Sequence, residues 1–106
     1  MGWLIDNLDG YTRSGTQIAN LMDLAERHLD AREIPGLDPI ARRQGHEPFS
    51  LTPREAASAR DALNTLADRL AKKRFNREAR GWAEFARRIA SAADIAARSG
   101  RPWRWS

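Results

Sequence analysis

The 106-residue chain contains no cysteine, which excludes disulfides, thiolate nucleophiles and cysteine-ligated zinc. It has only two histidines, and no apolar run approaches the roughly 20 residues that a membrane span requires. The first residues lack the basic start and long apolar stretch of a signal peptide. From these absences we expect a cytoplasmic protein with no metal site, no cofactor and no membrane contact.

Lysine is also scarce, since the 18 basic residues comprise sixteen arginines and only Lys72 and Lys73. Hydrophobic residues make up 42% of the chain and charged residues 30%, a balance typical of folded proteins. A chain of this length can bury roughly two thirds of its unfolded surface. We therefore expect a single helical domain over residues 1–106 that folds without covalent or metal support.

Apolar residues recur at helical spacing over residues 16–33 and predict the first of three principal helices. This helix should end before Pro35, because proline disfavours helical geometry in the residue that precedes it. Residues 34–51 form a connector in which Asp38 and Pro39 start one turn of helix. Four apolar residues of the connector are expected to enter the core: Leu37, Ile40, Phe49 and Leu51.

The second and third helices have clear local start signals. Thr52 and Glu55 form a capping box with Pro53 at the first helical position, which marks the start of the second helix. Asn76 caps a third helix that Gly100 terminates. Because two long helices joined by a short turn pack antiparallel, we predict a mainly α fold whose last two helices form an antiparallel hairpin.

Both ends of the chain are rich in strand-favouring residues, over residues 3–5 and 102–105. We expect them to pair as a minimal two-stranded ribbon, with a hairpin through Asp9-Gly10 as the alternative. In the second segment the two indoles face one side and Arg104 the other. Buried indoles would complete the core, whereas exposed ones would form a protein contact surface. That surface would comprise Trp103, Arg104, Trp105 and Ile95.

Charge is divided unevenly along the chain. Residues 1–40 hold seven carboxylates against three arginines, whereas residues 69–106 hold eleven Lys or Arg against three carboxylates. The arginine content of a high-GC genome is one explanation, and intrahelical ion pairs such as Asp94 with Arg98 are another. A third is a phosphate-binding surface at the turn between the last two helices. Its residues would be Lys72, Lys73, Arg74, Arg77, Arg80 and Arg87.

The expected function is therefore a non-catalytic binding or regulatory module that meets an acidic partner, a nucleic acid or nucleoprotein, through this basic turn. The alternative is a protein interaction module or homodimer that uses the tryptophans or the acidic first helix. An enzyme is disfavoured, because the serines lack a nucleophile elbow and His28 and His46 lack further metal ligands. A helix-turn-helix is disfavoured because both helices of the hairpin are long.

Three segments of the chain resemble a family of small uncharacterised proteins of high-GC bacteria. They are the start Met1-Gly2-Trp3, the stretch Trp82-Ala83-x-x-Ala86, and the end Gly100-x-Pro102-Trp103-x-Trp105-Ser106. The resemblance implies an intact natural small protein. Because the family has no assigned activity, the resemblance implies no catalytic residue.

Overall fold

Most residues that the structure describes lie in helices. The structure is a computed structural model, and it describes residues 2–9, 15–43, 47–73 and 76–106. The elements are α1 (Gly15–His28), a 3₁₀ turn (Ile34–Leu37), α2 (Asp38–Arg43), β1 (Phe49–Leu51), α3 (Pro53–Ala71), α4 (Arg77–Ser99) and β2 (Trp103–Trp105). The mainly helical prediction is confirmed, with α2 as a fourth helix beside the three principal ones.

Helices α3 and α4 form the predicted antiparallel hairpin. Arg60, early in α3, pairs with Asp94, late in α4, at 2.9 Å, whereas Asp68 pairs with Arg87, nearer the start of α4, at 3.2 Å. Small side chains on both buried faces allow the two axes to approach closely. The buried alanines are Ala56, Ala59, Ala62 and Ala67 in α3, and Ala79, Ala83, Ala86, Ala90, Ala92, Ala93 and Ala96 in α4.

The ends of these helices lie where their capping residues predict. The Glu55 amide donates to the Thr52 hydroxyl at 3.1 Å, and the Thr52 amide donates to the Glu55 carboxylate at 2.9 Å. Asn76 accepts from the Ala79 amide at 3.1 Å, and Gly100 takes a left-handed conformation with φ of 72°. Local sequence therefore determines both helix starts and the end of α4.

Helix α1 ends at His28, and its predicted extension to residue 33 is wrong. The Asp30 amide donates to the Glu33 carboxylate at 2.8 Å rather than continuing the helical ladder. The His28 carbonyl accepts a 2.6 Å hydrogen bond from Arg69 of α3. Because two groups that would extend the helix bond elsewhere, the chain turns and enters the 3₁₀ segment instead.

The sheet pairs β1 with β2, so the predicted ribbon of the two termini is only partly right. Strand β1 lies in the connector, where no strand is predicted, and runs antiparallel to β2 with Phe49 opposite Trp105. On the other edge of β2, Leu4 and Ser106 exchange two 2.8 Å backbone hydrogen bonds, and Ile5 bridges Trp105. Asn7, with φ of 69°, turns the chain just beyond this contact. The alternative hairpin would turn at Asp9-Gly10, and Gly10 lies outside the described residues.

Trp103 and Trp105 are core residues, with 0% and 1% of their surface exposed. They pack edge-to-face with ring centroids 5.3 Å apart, and Trp3 and Phe49 complete the aromatic cluster. The hypothesis that these two indoles form an exposed contact surface is therefore wrong, because β2 presents them to the helices. The connector residues Leu37, Ile40 and Leu51 are buried and Phe49 is half-buried, as predicted.

Candidate nucleic-acid interface

The basic corner comprises Lys72, Lys73, Arg77 and Arg80. It lies where α3 ends and α4 begins. All four side chains are exposed, and none forms an ion pair with a carboxylate of the described residues. Arg74, also predicted for this surface, lies outside those residues. Four of the six predicted cations are therefore free to meet an external anion.

Helix α1 brings further positive charge to the basic corner. Arg69 of α3 donates to the His28 carbonyl, so the last turn of α1 lies against the end of α3. Burial first, and then the nearby charges of Lys73, Arg27 and Arg69, lower the pKa of His28 below its usual range. Arg27 is exposed and pairs with no carboxylate of the described chain. Sequence reasoning missed Arg27 because its proximity arises only from tertiary packing.

Arg69 is neutralised and has a structural role. Its guanidinium binds the Glu33 carboxylate with two hydrogen bonds of 2.6 and 3.1 Å, and Asp30 lies 3.6 Å away. The Asp30 amide, followed by Arg69, holds the pKa of Glu33 below its usual range. This clamp fixes the chain after α1 against α3, so the last turn of α1, which contains Arg27, lies near the end of α3.

Arg87 differs from the other predicted cations, because Asp68 of α3 lies 3.2 Å from its guanidinium. Both side chains are largely exposed, at 49% and 71%, so this pair contributes little stability.

Farther along α4, Asp94 binds both Arg60 and Arg98, and its hydrogen bond with Arg60 chiefly lowers the pKa of its carboxyl group. The predicted Asp94–Arg98 pair is thus confirmed. Asp68 and Asp94 thus neutralise Arg87 and Arg98 along α4.

Two half-buried aromatic rings lie on α4 beside the basic corner. The rings of Trp82 and Phe85 meet edge-to-face with centroids 6.0 Å apart. Helical side chains lean toward the amino terminus of their helix, so both rings lie over the turn that follows Arg77. Gly81 is exposed on the same turn. Sequence periodicity predicts these rings on the inner face, but it does not show that part of each remains accessible.

The protein-contact residues of the alternative hypothesis are separated by the fold. Trp103 and Trp105 are buried, whereas Arg104 is exposed and lies 3.4 Å from Asp6. Ile95 on α4 is 52% exposed and lines a groove of about 600 Å³. Asn7, Arg101 and Pro102 also line this groove.

The described residues contain no group of three or more His, Asp or Glu side chains arranged to hold a metal ion. His28 is half-buried at the end of α1, and His46 lies outside the described part of the chain. None of the helices described is both long and apolar enough to cross a bilayer. The expectations that the chain has no metal, no cofactor and no catalytic activity remain predictions.

The described chain is small and mainly helical. A two-stranded sheet packs against its helical hairpin, and the basic corner lies at one end of that hairpin. The chain belongs to the family described as a domain of unknown function (DUF7739), whose model matches residues 7–106. This membership agrees with the resemblance to a family without assigned activity. Neither a curated protein nor a solved structure matches the chain.

Proposed function

We propose that this chain is a small, non-catalytic module that binds nucleic acid, free or within a nucleoprotein, through the basic corner. The observation that carries the proposal is the group of four exposed cations that have no carboxylate partner among the described residues. A phosphate chain can pair with several of them at once. Each contact releases condensed counterions and so adds affinity that depends on salt and little on base sequence.

Arg77 supports this proposal because helix stability does not explain its position. Lys72 and Lys73 follow the end of α3, where the helix dipole favours cations. Arg77 is the first residue of α4, where the same dipole disfavours a positive charge. A cation that costs the isolated fold some stability yet remains exposed and unpaired is well placed to meet an anion from outside.

The proposal can be tested with two double variants of equal charge. Lys73→Glu with Arg77→Glu reverses two charges in the basic corner. Arg54→Glu with Arg101→Glu reverses two exposed arginines at the other end of the helical hairpin, which also lack a carboxylate partner among the described residues. Both variants lower the net charge equally, so they separate a local site from a general charge effect.

Affinity for mixed-sequence DNA and RNA should be measured at low salt by fluorescence anisotropy. We expect the wild type to bind both, the corner variant to lose at least about tenfold in affinity, and the control to change much less. Absence of binding by the wild type, or equal losses in the two variants, would refute the proposal.

A protein-interaction role is the second candidate, and Ile95 is the observation that favours it. An isoleucine that is 52% exposed in a groove of about 600 Å³ is a suitable apolar contact for a second protein or a second copy of the chain. Asp23 and Glu26 of α1 are also exposed, and they belong to the acidic face of α1 that the same hypothesis proposes as a contact surface. Light scattering of the wild type and Ile95→Ser tests it: a dimer that Ile95→Ser dissociates would support this role, and a monomer at all concentrations would exclude self-association.

A further inference from the structure

Gly81 has no evident role within the fold. It lies in the interior of α4 and is exposed, and a Cβ built on it would meet no atom within 4 Å. Its φ is not in the left-handed region, so the backbone does not require glycine there. Alanine at an exposed helical position is more stable than glycine by about 1 kcal/mol. Glycine at position 81 therefore leaves this part of the helix surface uncovered and lowers the stability of α4.

The open surface adjoins the half-buried rings described above. Phe85 follows Gly81 by one helical turn, and its ring leans back toward it. Trp82 contacts Phe85 with ring centroids 6.0 Å apart. Because Gly81 has no side chain, nothing from that position shields the exposed parts of the two rings. The result is a small aromatic platform on α4.

The platform lies next to the positive charge of the basic corner. Arg77 precedes Gly81 by one helical turn and so lies on the same side of α4, whereas Arg80 lies on the outer side of the helix, away from Trp82. Glu78, the acidic residue of the first turn of α4 as described, is exposed and precedes Trp82 by one helical turn, so one carboxylate lies close to Arg77 and the platform. A strand that reaches the rings from the basic corner therefore passes Arg77, a cation that can bind its phosphates.

We propose that the aromatic platform stacks the bases of a single-stranded nucleic acid whose phosphates lie on the basic corner. This inference rests on the proposed function and specifies its substrate. Bases in a duplex are stacked on one another and paired, so they cannot lie on Trp82 and Phe85, whereas unpaired bases can. The absence of a side chain at Gly81 allows the strand to approach the helix closely.

Trp82 provides a direct signal for this contact. The other three tryptophans, Trp3, Trp103 and Trp105, have at most 8% of their surface exposed. A base stacked on Trp82 should quench its emission and leave the three core indoles unchanged. Fluorescence and affinity can therefore be followed in one titration.

The test compares three ligands with equal numbers of phosphates: a single-stranded oligonucleotide, an abasic strand, and a duplex of half the length. We expect the single strand to bind about tenfold more tightly than the abasic strand and to be the only ligand that quenches Trp82. Equal binding of the single strand and the abasic strand without quenching, or a preference for duplex, would overturn the stacking inference and leave the proposed function intact. Failure of all three ligands to bind at low salt would instead overturn the proposed function.

Variants locate the contact. Gly81→Gln places a side chain over the platform without disturbing the fold, because the space is open. It should reduce single-strand affinity to that of the abasic strand, whereas Ser91→Gln, at an exposed position farther along α4, should not. Trp82→Phe keeps a stacking ring and should retain more affinity than Trp82→Leu, with both confirmed as folded by thermal unfolding. If Gly81→Gln and Ser91→Gln bind the single strand as the wild type does, the platform is not the contact.

Discussion

At the scale of single residues, Gly36 and Gly81 differ in the space that surrounds their Cα atoms. Gly36 lies where the 3₁₀ turn meets α3, and a Cβ on it would be 2.8 Å from the Ser58 carbonyl oxygen and 3.2 Å from the Ala62 Cβ. Neither contact can be relieved by rotating a flexible side chain. Gly81, by contrast, has open space around it.

We therefore predict stability changes of opposite sign for the two alanine variants. Gly36→Ala should lower the free energy of unfolding by about 1–3 kcal/mol through overpacking, whereas Gly81→Ala should raise it by about 0.5–1 kcal/mol. Urea denaturation at neutral pH measures both changes. A stabilised Gly36→Ala or a destabilised Gly81→Ala would contradict the packing described here.

A second prediction at this scale concerns Arg77. Removing its charge in Arg77→Gln relieves an unfavourable interaction with the helix dipole and should raise the free energy of unfolding by about 0.3–1 kcal/mol. If the proposed function is right, the same change removes a phosphate contact and should weaken nucleic-acid binding. Denaturation and anisotropy titration of one protein sample check both effects. If Arg77→Gln binds nucleic acid as tightly as the wild type does, Arg77 does not contact a phosphate.

Residue spacing predicts which side chains share a face, but it does not predict their exposure. The alternation of Trp103, Arg104 and Trp105 places both indoles on one side, as observed. Whether that side faces protein or solvent depends on β1 and on the helices beneath, which the spacing of β2 does not encode. Trp82 is the converse case, since it lies on a predicted inner stripe yet remains half-buried.

At the scale of elements, the clamp between Arg69 and Glu33 holds the end of α1 against α3. The Asp30 amide and Arg69 lower the pKa of Glu33 in the folded chain below its ordinary value of 4.5. The unfolded chain therefore binds more protons than the folded chain when the pH lies between the two pKa values. The stabilisation from Glu33 is present above the unfolded value and is lost as the pH falls toward the folded one.

We predict that the free energy of unfolding falls as the pH decreases below about 5, and that Glu33→Gln makes this fall shallower. The variant should also be less stable than the wild type at neutral pH, because Arg69 loses its charged partner. Thermal unfolding across the acid range measures both effects. Glu84→Gln, which removes a carboxylate outside the clamp, controls for the loss of one negative charge. An unchanged pH profile in Glu33→Gln would contradict the clamp.

Elements with local signals are predictable from the sequence, and those that depend on distant partners are not. Thr52, Glu55 and Asn76 act within one helical turn, so the starts of α3 and α4 follow from sequence alone. The end of α1 depends on Arg69, which belongs to another helix. Strand β1 is only three residues long and forms because β2 lies beside it.

At the scale of the whole molecule, the uneven charge of the sequence becomes a localised surface. Ion pairs between α3 and α4 neutralise Arg60 and Arg87, while the basic corner keeps its charge. The sequence predicts the corner, since its residues are near one another along the chain. It does not predict the contribution of Arg27 or the neutralisation of Arg87, because both depend on contacts between helices.

The salt dependence of nucleic-acid affinity tests the central claim most directly, because it counts the phosphates that the basic corner is proposed to neutralise. The logarithm of the binding constant for a single strand should fall linearly with the logarithm of salt concentration. The slope should become shallower by about 0.7 in Lys73→Gln and again in Arg77→Gln, and should not change in Arg54→Gln. A wild-type affinity independent of salt, or a slope that Arg54→Gln changes as much as the corner variants do, would contradict a phosphate-binding corner.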